Sequence, residues 1–164
     1  PILTGTLMAY QARGLEENGV IATYKHLIAN NMEFERKSAH GIIDENTLRD
    51  LYLRVFDKAF SLYKPGCVMT SYNPVNGIYP CENSALLNNL LRGEWGFDGF
   101  VMTDWGSYDT ADSIRSVCAG TNLLTPGSKK HFRMILKAVK RNEISKAALQ
   151  HSVKQIVKVL VKCI

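Results

Sequence analysis

The sequence lacks any run of the ~18 consecutive apolar residues that a membrane span requires, and its N-terminus lacks a basic stretch leading into an apolar one. Neither a transmembrane segment nor a secretory signal is therefore expected, and no membrane partner. The chain starts at Pro1 rather than Met, which reads as a segment lost upstream. Cysteine is scarce. Cys67, Cys81, Cys118 and Cys163 stand 14, 37 and 45 positions apart, a spacing that fits neither a metal-ligand motif nor a dense disulfide framework. Free, mostly buried thiols are expected, a pattern that leans towards the cytoplasm without fixing the compartment. The 12 Gly and 5 Pro are too few for a collagen-like or mucin-like chain. Also missing are a Gly-rich phosphate loop, a His-x-x-x-His pair, a Ser-centred nucleophile elbow and a nucleotide fingerprint. Neither a metal nor a cofactor is expected.

What is present describes an ordinary globular chain: 46% hydrophobic and 21% charged residues among 164, too apolar for disorder and short enough for one domain spanning residues 1–164. The formal net charge of +5 is unevenly spread. Residues 1–124 hold 10 Lys+Arg against 14 Asp+Glu, and residues 125–164 hold 10 Lys+Arg against Glu143 alone, so −4 stands beside +9.

Four short apolar runs without polar alternation read as strands buried on both faces: Gly19 to Tyr24, Gly66 to Ser71, Gly99 to Thr103 and Gly120 to Leu124. Between them lie helical patterns. Asp44 can cap a helix from about residue 45 to 63, with Leu48, Leu51, Val55, Phe56, Ala59 and Phe60 on one stripe and Pro65-Gly66 as its stop. Asn83 or Ser84 can cap a shorter helix ended by Gly93, and after Ser145 the apolar Leu149, Val153, Ile156, Val157 and Leu160 share a face opposite a Lys row. Strand–helix alternation at this spacing predicts an α/β fold with a parallel sheet, either doubly wound or a (β/α) barrel. An eight-stranded barrel takes ~250 residues, so four βα units would be roughly half of one, with both edges open to self-association or another segment.

In such sheets the chemistry clusters past the carboxyl ends of the strands. There the chain places Lys25-His26, Tyr72-Asn73, Asp104-Trp105-Gly106 and Thr125-Pro126-Gly127. Asp104 stands out, because a carboxylate ending an apolar strand is poorly explained by packing. It could be a nucleophile, base or metal ligand, or it could instead cap the next helix or pair with Lys25. Trp105 offers a flat apolar surface suited to the C–H face of a sugar ring. Lys25 and His26 could donate to hydroxyls, Lys25 could form a Schiff base, or the two could be structural. Glu33, Glu35 and Arg36 form a polar loop, and Tyr72 could belong to the core.

At these residues the sequence resembles glycoside hydrolase family 3. The resemblance runs through Leu3-Thr4-Gly5, Gly14-Leu15, Asn18-Gly19-Val20, Ala22-Thr23-Tyr24-Lys25-His26 and Asn30-Asn31-Met32-Glu33. It continues in order through Asp44-Glu45-Asn46-Thr47-Leu48-Arg49, Val68 to Asn73, Val75-Asn76-Gly77, Leu91 to Phe100 and Val101-Met102-Thr103-Asp104-Trp105-Gly106. It implies a partial (β/α)8 barrel in which Asp104 is the nucleophile of a retaining mechanism, with Lys25, His26, Arg36, Met69, Tyr72 and Trp105 around the terminal sugar. Lys25 and His26 would donate to hydroxyls and Trp105 would form a wall. A second carboxyl group ~5 Å from the nucleophile would protonate the leaving oxygen and then activate water.

The chain departs from the family pattern at Leu27, where Phe is usual, Met32 for Gln, Thr103 for Ser and Asn122 for an acidic residue. The family's first barrel strands, with an acidic residue and an Arg for the same sugar, and the domain that carries the acid/base Glu of glucosidase-like members have no counterpart here. The loop Leu27-Ile28-Ala29-Asn30-Asn31 also differs from the Pro-Gly-His-Gly run of the N-acetylglucosaminidase subgroup. The resemblance thus implies the C-terminal half of the barrel of an exo-acting β-glucosidase-like enzyme, acting on short β-linked oligosaccharides or glycosides and inactive without its missing parts. Two alternatives stand beside it: a barrel lyase or aldolase using Lys25 as a Schiff base, and a non-catalytic binding module whose Lys-rich last 40 residues meet an anionic partner. The lysines lie opposite an apolar stripe and lack interleaved aromatics, so no nucleic-acid partner is expected.

Overall fold

The computed structural model describes residues 1–163. Three parallel strands, β1 (Thr23–Leu27), β2 (Cys67–Thr70) and β3 (Phe100–Met102), lie in that order. Val68 at the centre pairs with Tyr24 on one side and Val101 on the other. Cys67 and Val68 are fully buried, as a central strand covered on both faces demands.

The first strand begins four residues later than its apolar pattern suggests. The residues before it are used to close the loop from α1 (Ile2–Glu16): the Val20 N–H donates to the Leu15 carbonyl at 3.1 Å, and the Ala22 N–H to the Glu16 carboxylate at 3.1 Å. Lys25 and His26 consequently lie within β1, not beyond it. The same carboxylate accepts from the Gly66 N–H at 2.6 Å and the Tyr63 hydroxyl at 2.9 Å, so Glu16 fixes the entry points of β1 and β2 together.

The fourth run makes no full strand. Leu123 forms a single parallel bridge with Met102. Next to it the Asn122 side chain, in place of a backbone carbonyl, takes the Val101 N–H at 2.7 Å and interrupts the ladder. Asn122 also accepts from Arg92 at 2.8 Å and donates to Ser152 at 3.0 Å, tying the sheet edge to two helices.

Asp44 caps its helix by accepting from the Thr47 N–H at 3.0 Å. The helix runs as α2 (Glu45–Thr47), a π-wound turn Leu48–Leu53, and α3 (Arg54–Leu62). The wide turn rotates the expected stripe, burying Leu53 and leaving Leu51 exposed, while Phe56, Ala59 and Phe60 go inward as expected. Phe60 centres an aromatic cluster, with ring centroids 5.2 Å from Tyr24, 5.3 Å from Trp95 and 5.7 Å from Phe97. Each such buried ring contributes on the order of 2–3 kcal/mol of hydrophobic stabilisation. Helix α1, which periodicity did not disclose, packs on α3 through Gly5. A Cβ there would stand 2.4 Å from the Val55 carbonyl oxygen.

Asn83 caps the π-wound helix Ala85–Glu94, which continues through Gly93 and closes with the Trp95 N–H donating to the Leu90 carbonyl at 2.9 Å. The chain ends in α4 (Ser113–Ala119), α5 (Lys129–Lys140) and α6 (Lys146–Leu160), capped by Asp112, Ser128 and Ser145. On α6 the expected stripe splits. Ile156, joined by Val159 from outside that stripe, packs against Cys67 and Phe100, whereas Val153, Val157 and Leu160 remain exposed. Among the described residues no helix is long and apolar enough to cross a membrane.

Candidate active site

The carboxyl ends of β1, β2 and β3 point to one rim because the strands are parallel. His26 arrives from β1, Met69 from β2, Tyr72 from the segment past β2, and Asp104 and Trp105 from the turn past β3. Asp104 is 9% exposed. Its Oδ2 stands 3.3 Å from His26 Nε2, and its Oδ1 accepts the Trp105 N–H at 2.7 Å. The turn is braced from both sides. Ser107 donates from its backbone and its hydroxyl to the Asp104 carbonyl at 3.1 and 3.0 Å, and the Gly106 N–H donates to the Thr125 carbonyl at 2.9 Å.

Two structural readings of these residues are thereby corrected. Asp104 does not cap the following helix, since Asp112 does so with bonds of 2.8 and 2.9 Å from Ile114 and Arg115. Nor does Asp104 pair with Lys25. Its side-chain neighbour is His26, and the exposed Lys25 makes no side-chain hydrogen bond or ion pair among the described residues. Burial holds the His26 pKa below its ordinary value, outweighing the upward pull of Asp104. The imidazole is then uncharged at neutral pH and keeps an N–H to donate.

Tyr72 is buried, and its hydroxyl donates to the Trp105 carbonyl. Burial, with the Asp104 charge second, raises its phenol pKa. The Arg36 guanidinium lies 4.5 Å above the Tyr72 ring and pairs with Glu33 at 2.9 Å. Met69 is half-buried beside Met102. Trp105 is 67% exposed, so its indole face is open to a ligand. Lys25 and His26 line a cleft of about 400 Å³ with Asn30, Asn31 and Tyr52. Among the described residues no group of three or more His, Cys, Asp or Glu is arranged to hold a metal.

Sequence reasoning named Asn73 and Thr125 at strand ends and Thr103 as a departure from the family pattern but gave them no role, and it passed over Lys37. Thr103 and Thr125 interlock, the Thr125 N–H donating to Thr103 Oγ1 at 2.9 Å and the Thr125 hydroxyl to the Thr103 carbonyl at 2.6 Å, which fixes the end of β3. Asn73 is buried behind Tyr72 and donates to the Ala29 carbonyl at 3.1 Å, holding the loop after β1. Lys37 spans two loops. Thr103 adjoins Asp104 and Asn73 adjoins Tyr72 in sequence, but Lys37 sits in a polar loop that gives no such signal.

A carboxylate held by a neutral imidazole and a backbone N–H, beside an open indole, can attack an electrophilic carbon or accept a proton while neighbouring donors hold hydroxyls. Comparisons with known proteins show the family of the chain. The glycosyl hydrolase family 3 N-terminal domain matches residues 1–159. Probable beta-glucosidase J of Aspergillus fumigatus is 37% identical over 163 residues, which are 98% of this chain and 18% of that protein. Probable beta-glucosidase I of Aspergillus oryzae is 38% identical over 158 residues, 94% of this chain and 18% of the relative. The structure of beta-glucosidase 3B from Thermotoga neapolitana in complex with glucose superposes with a TM-score of 0.91 at 37% identity, over 96% of this chain and 23% of that one. The chain thus spans about a fifth of the length of these relatives, and its strands form an arc of a TIM-type barrel. It belongs to glycosyl hydrolase family 3, within the family's N-terminal domain.

Proposed function

We propose that residues 1–164 are the nucleophile-bearing part of the catalytic barrel of a retaining, exo-acting β-glucosidase-like enzyme. The observation that carries this reading is the setting of Asp104. It is a nearly buried carboxylate at a strand end, with one oxygen tied to the Trp105 N–H and the other facing uncharged His26. An Asp104 oxygen attacks the anomeric carbon as the bond to the leaving oxygen breaks, giving a covalent glycosyl-enzyme; water then releases the sugar. His26 and Lys25 donate to sugar hydroxyls and Arg36 adds a charged donor, while Met69 and Tyr72 line the floor and Trp105 packs against the ring. The relatives named beta-glucosidase and the neighbour crystallised with glucose support a β-linked glucoside as substrate.

Retention needs a second carboxyl group about 5 Å from the first to serve as acid and base. No carboxylate here is assigned to that role, so we attribute it to polypeptide beyond these residues. The test compares hydrolysis of an aryl β-glucoside by residues 1–164 and by the longest polypeptide that carries them. The short chain is expected to be inactive and the long one active, with Asp104→Ala lowering turnover by at least about a thousandfold. Hydrolysis by the long form that is indifferent to Asp104→Ala contradicts the reading.

A further inference from the structure

Strands β1 and β3 lie on opposite sides of β2, and the loop after β1 reaches the turn after β3 by passing over the Tyr72 ring. Two adjacent basic residues make that crossing. Arg36 lies over the Tyr72 ring at 4.5 Å, and Lys37 Nζ stands 5.4 Å from the same centroid. Lys37 reaches further: its ammonium donates to the Asp109 carboxylate at 2.8 Å and to the Gly106 carbonyl at 3.3 Å.

Both ends of this crossing are built to hold it. The Lys37 carbonyl accepts the Tyr79 hydroxyl at 3.2 Å, and the Ser38 and Ala39 N–H groups both donate to the Glu35 carbonyl at 2.8 Å, closing a turn in which Glu35 takes φ 50°. A non-glycine residue in the left-handed region is costly and persists only where its surroundings fix it. On the far side Gly106 takes φ 77°, and the Asp109 N–H donates to its carbonyl at 3.1 Å, so one carbonyl receives both Asp109 and Lys37. That glycine turn directly follows Asp104 and Trp105.

We propose that Lys37 is a positioning residue of the nucleophile turn. Its ammonium, shared by Asp109 and the Gly106 carbonyl, ties the loop that carries Arg36 to the turn that carries Asp104 and Trp105. The tie sets the separation of the sugar-holding loop from the nucleophile, and it rests on the reading of Asp104 given above. Because the Lys37 and Asp109 side chains are 37% and 60% exposed, the tie weakens as salt screens it. Small displacements of a reacting group cost rate steeply, so even an exposed tie of this kind affects the chemical step.

The two tryptophans of the chain make the tie observable. Trp105 is 67% exposed and Trp95 8%, so acrylamide quenching reports chiefly on Trp105. In residues 1–164 quenching is expected to rise with salt. Lys37→Met and Asp109→Asn are expected to show the high value already at low salt with no further response, and Lys37→Arg to behave as the parent. In the longest polypeptide carrying the sequence, Lys37→Met is expected to slow covalent labelling of Asp104 by a 2-deoxy-2-fluoro-β-glucosyl fluoride about fivefold at unchanged saturation constant. The charge-reversed pair Lys37→Asp with Asp109→Lys is expected to recover only the part of that loss carried by the ion pair, since a carboxylate cannot donate to the Gly106 carbonyl. A Lys37→Met chain with parental quenching and salt response, or parental labelling rate, overturns the tie alone. Failure of the unmutated polypeptide to take label at Asp104 overturns the nucleophile reading and the positioning role with it.

Discussion

His26 Nε2 stands 3.3 Å from Asp104 Oδ2, a contact between two residues 78 positions apart that brings the first strand and the third to a common point. Burial dominates the imidazole, so the pair is a carboxylate beside a neutral ring and not a full ion pair.

The sign of this perturbation gives a pH dependence. His26 titrates lower in the folded chain than in the unfolded one, so the unfolded state binds the proton first as pH falls through the ordinary histidine range. Stability is therefore fully present above that range and declines below about pH 6.5. His26→Gln should flatten the fall of Tm between about pH 7.5 and 5. The depressed carboxyl groups of Asp44 and Asp98 act only lower, as pH passes through the carboxylate range. An unchanged slope in the variant would show that His26 is not the group responsible.

Asn122 supports the sheet edge through Val101, Arg92 and Ser152. Asn122→Leu should leave the Arg92 guanidinium short of an acceptor in a site whose burial already lowers its pKa, costing about 2–3 kcal/mol. Asn122→Asp keeps an acceptor for Arg92 and should be tolerated. Denaturant unfolding of both variants distinguishes this from a packing effect, which would penalise them alike.

The thiols should differ sharply in reactivity. Cys67 and Cys81 are buried, and burial pushes their pKa values up to about 12 and about 11, whereas Cys118 is exposed. Iodoacetamide on the folded chain followed by peptide mapping should modify Cys118 and spare Cys67 and Cys81 until denaturant is added. Rapid modification of Cys67 would mean that the cover of α6 over β2 is loose.

The strand-end pattern pointed to the candidate site, because parallel strands deliver their terminal residues to one rim whatever the details between them. Asp104, Trp105 and Tyr72 were legible for that reason. What was illegible depends on contacts distant in sequence. The first strand's start is set by Glu16 reaching Ala22 and Gly66, and the loss of a fourth strand follows from one Asn122 side chain replacing a backbone acceptor. Periodicity placed the helix after Asp44 but not its π-wound turn, which moves Leu51 out and Leu53 in. Lys37 was hidden because a lysine in a polar loop reads as solvated until its partners Gly106 and Asp109 are seen beside it.

The central claim is that Asp104 attacks the anomeric carbon. Treatment of the longest polypeptide carrying this sequence with a 2-deoxy-2-fluoro-β-glucosyl fluoride, followed by peptide mass mapping, tests it most directly. One fluoroglycosyl group is expected, on the peptide containing Val101-Met102-Thr103-Asp104-Trp105 and lost in Asp104→Ala. A label on any other residue would contradict it.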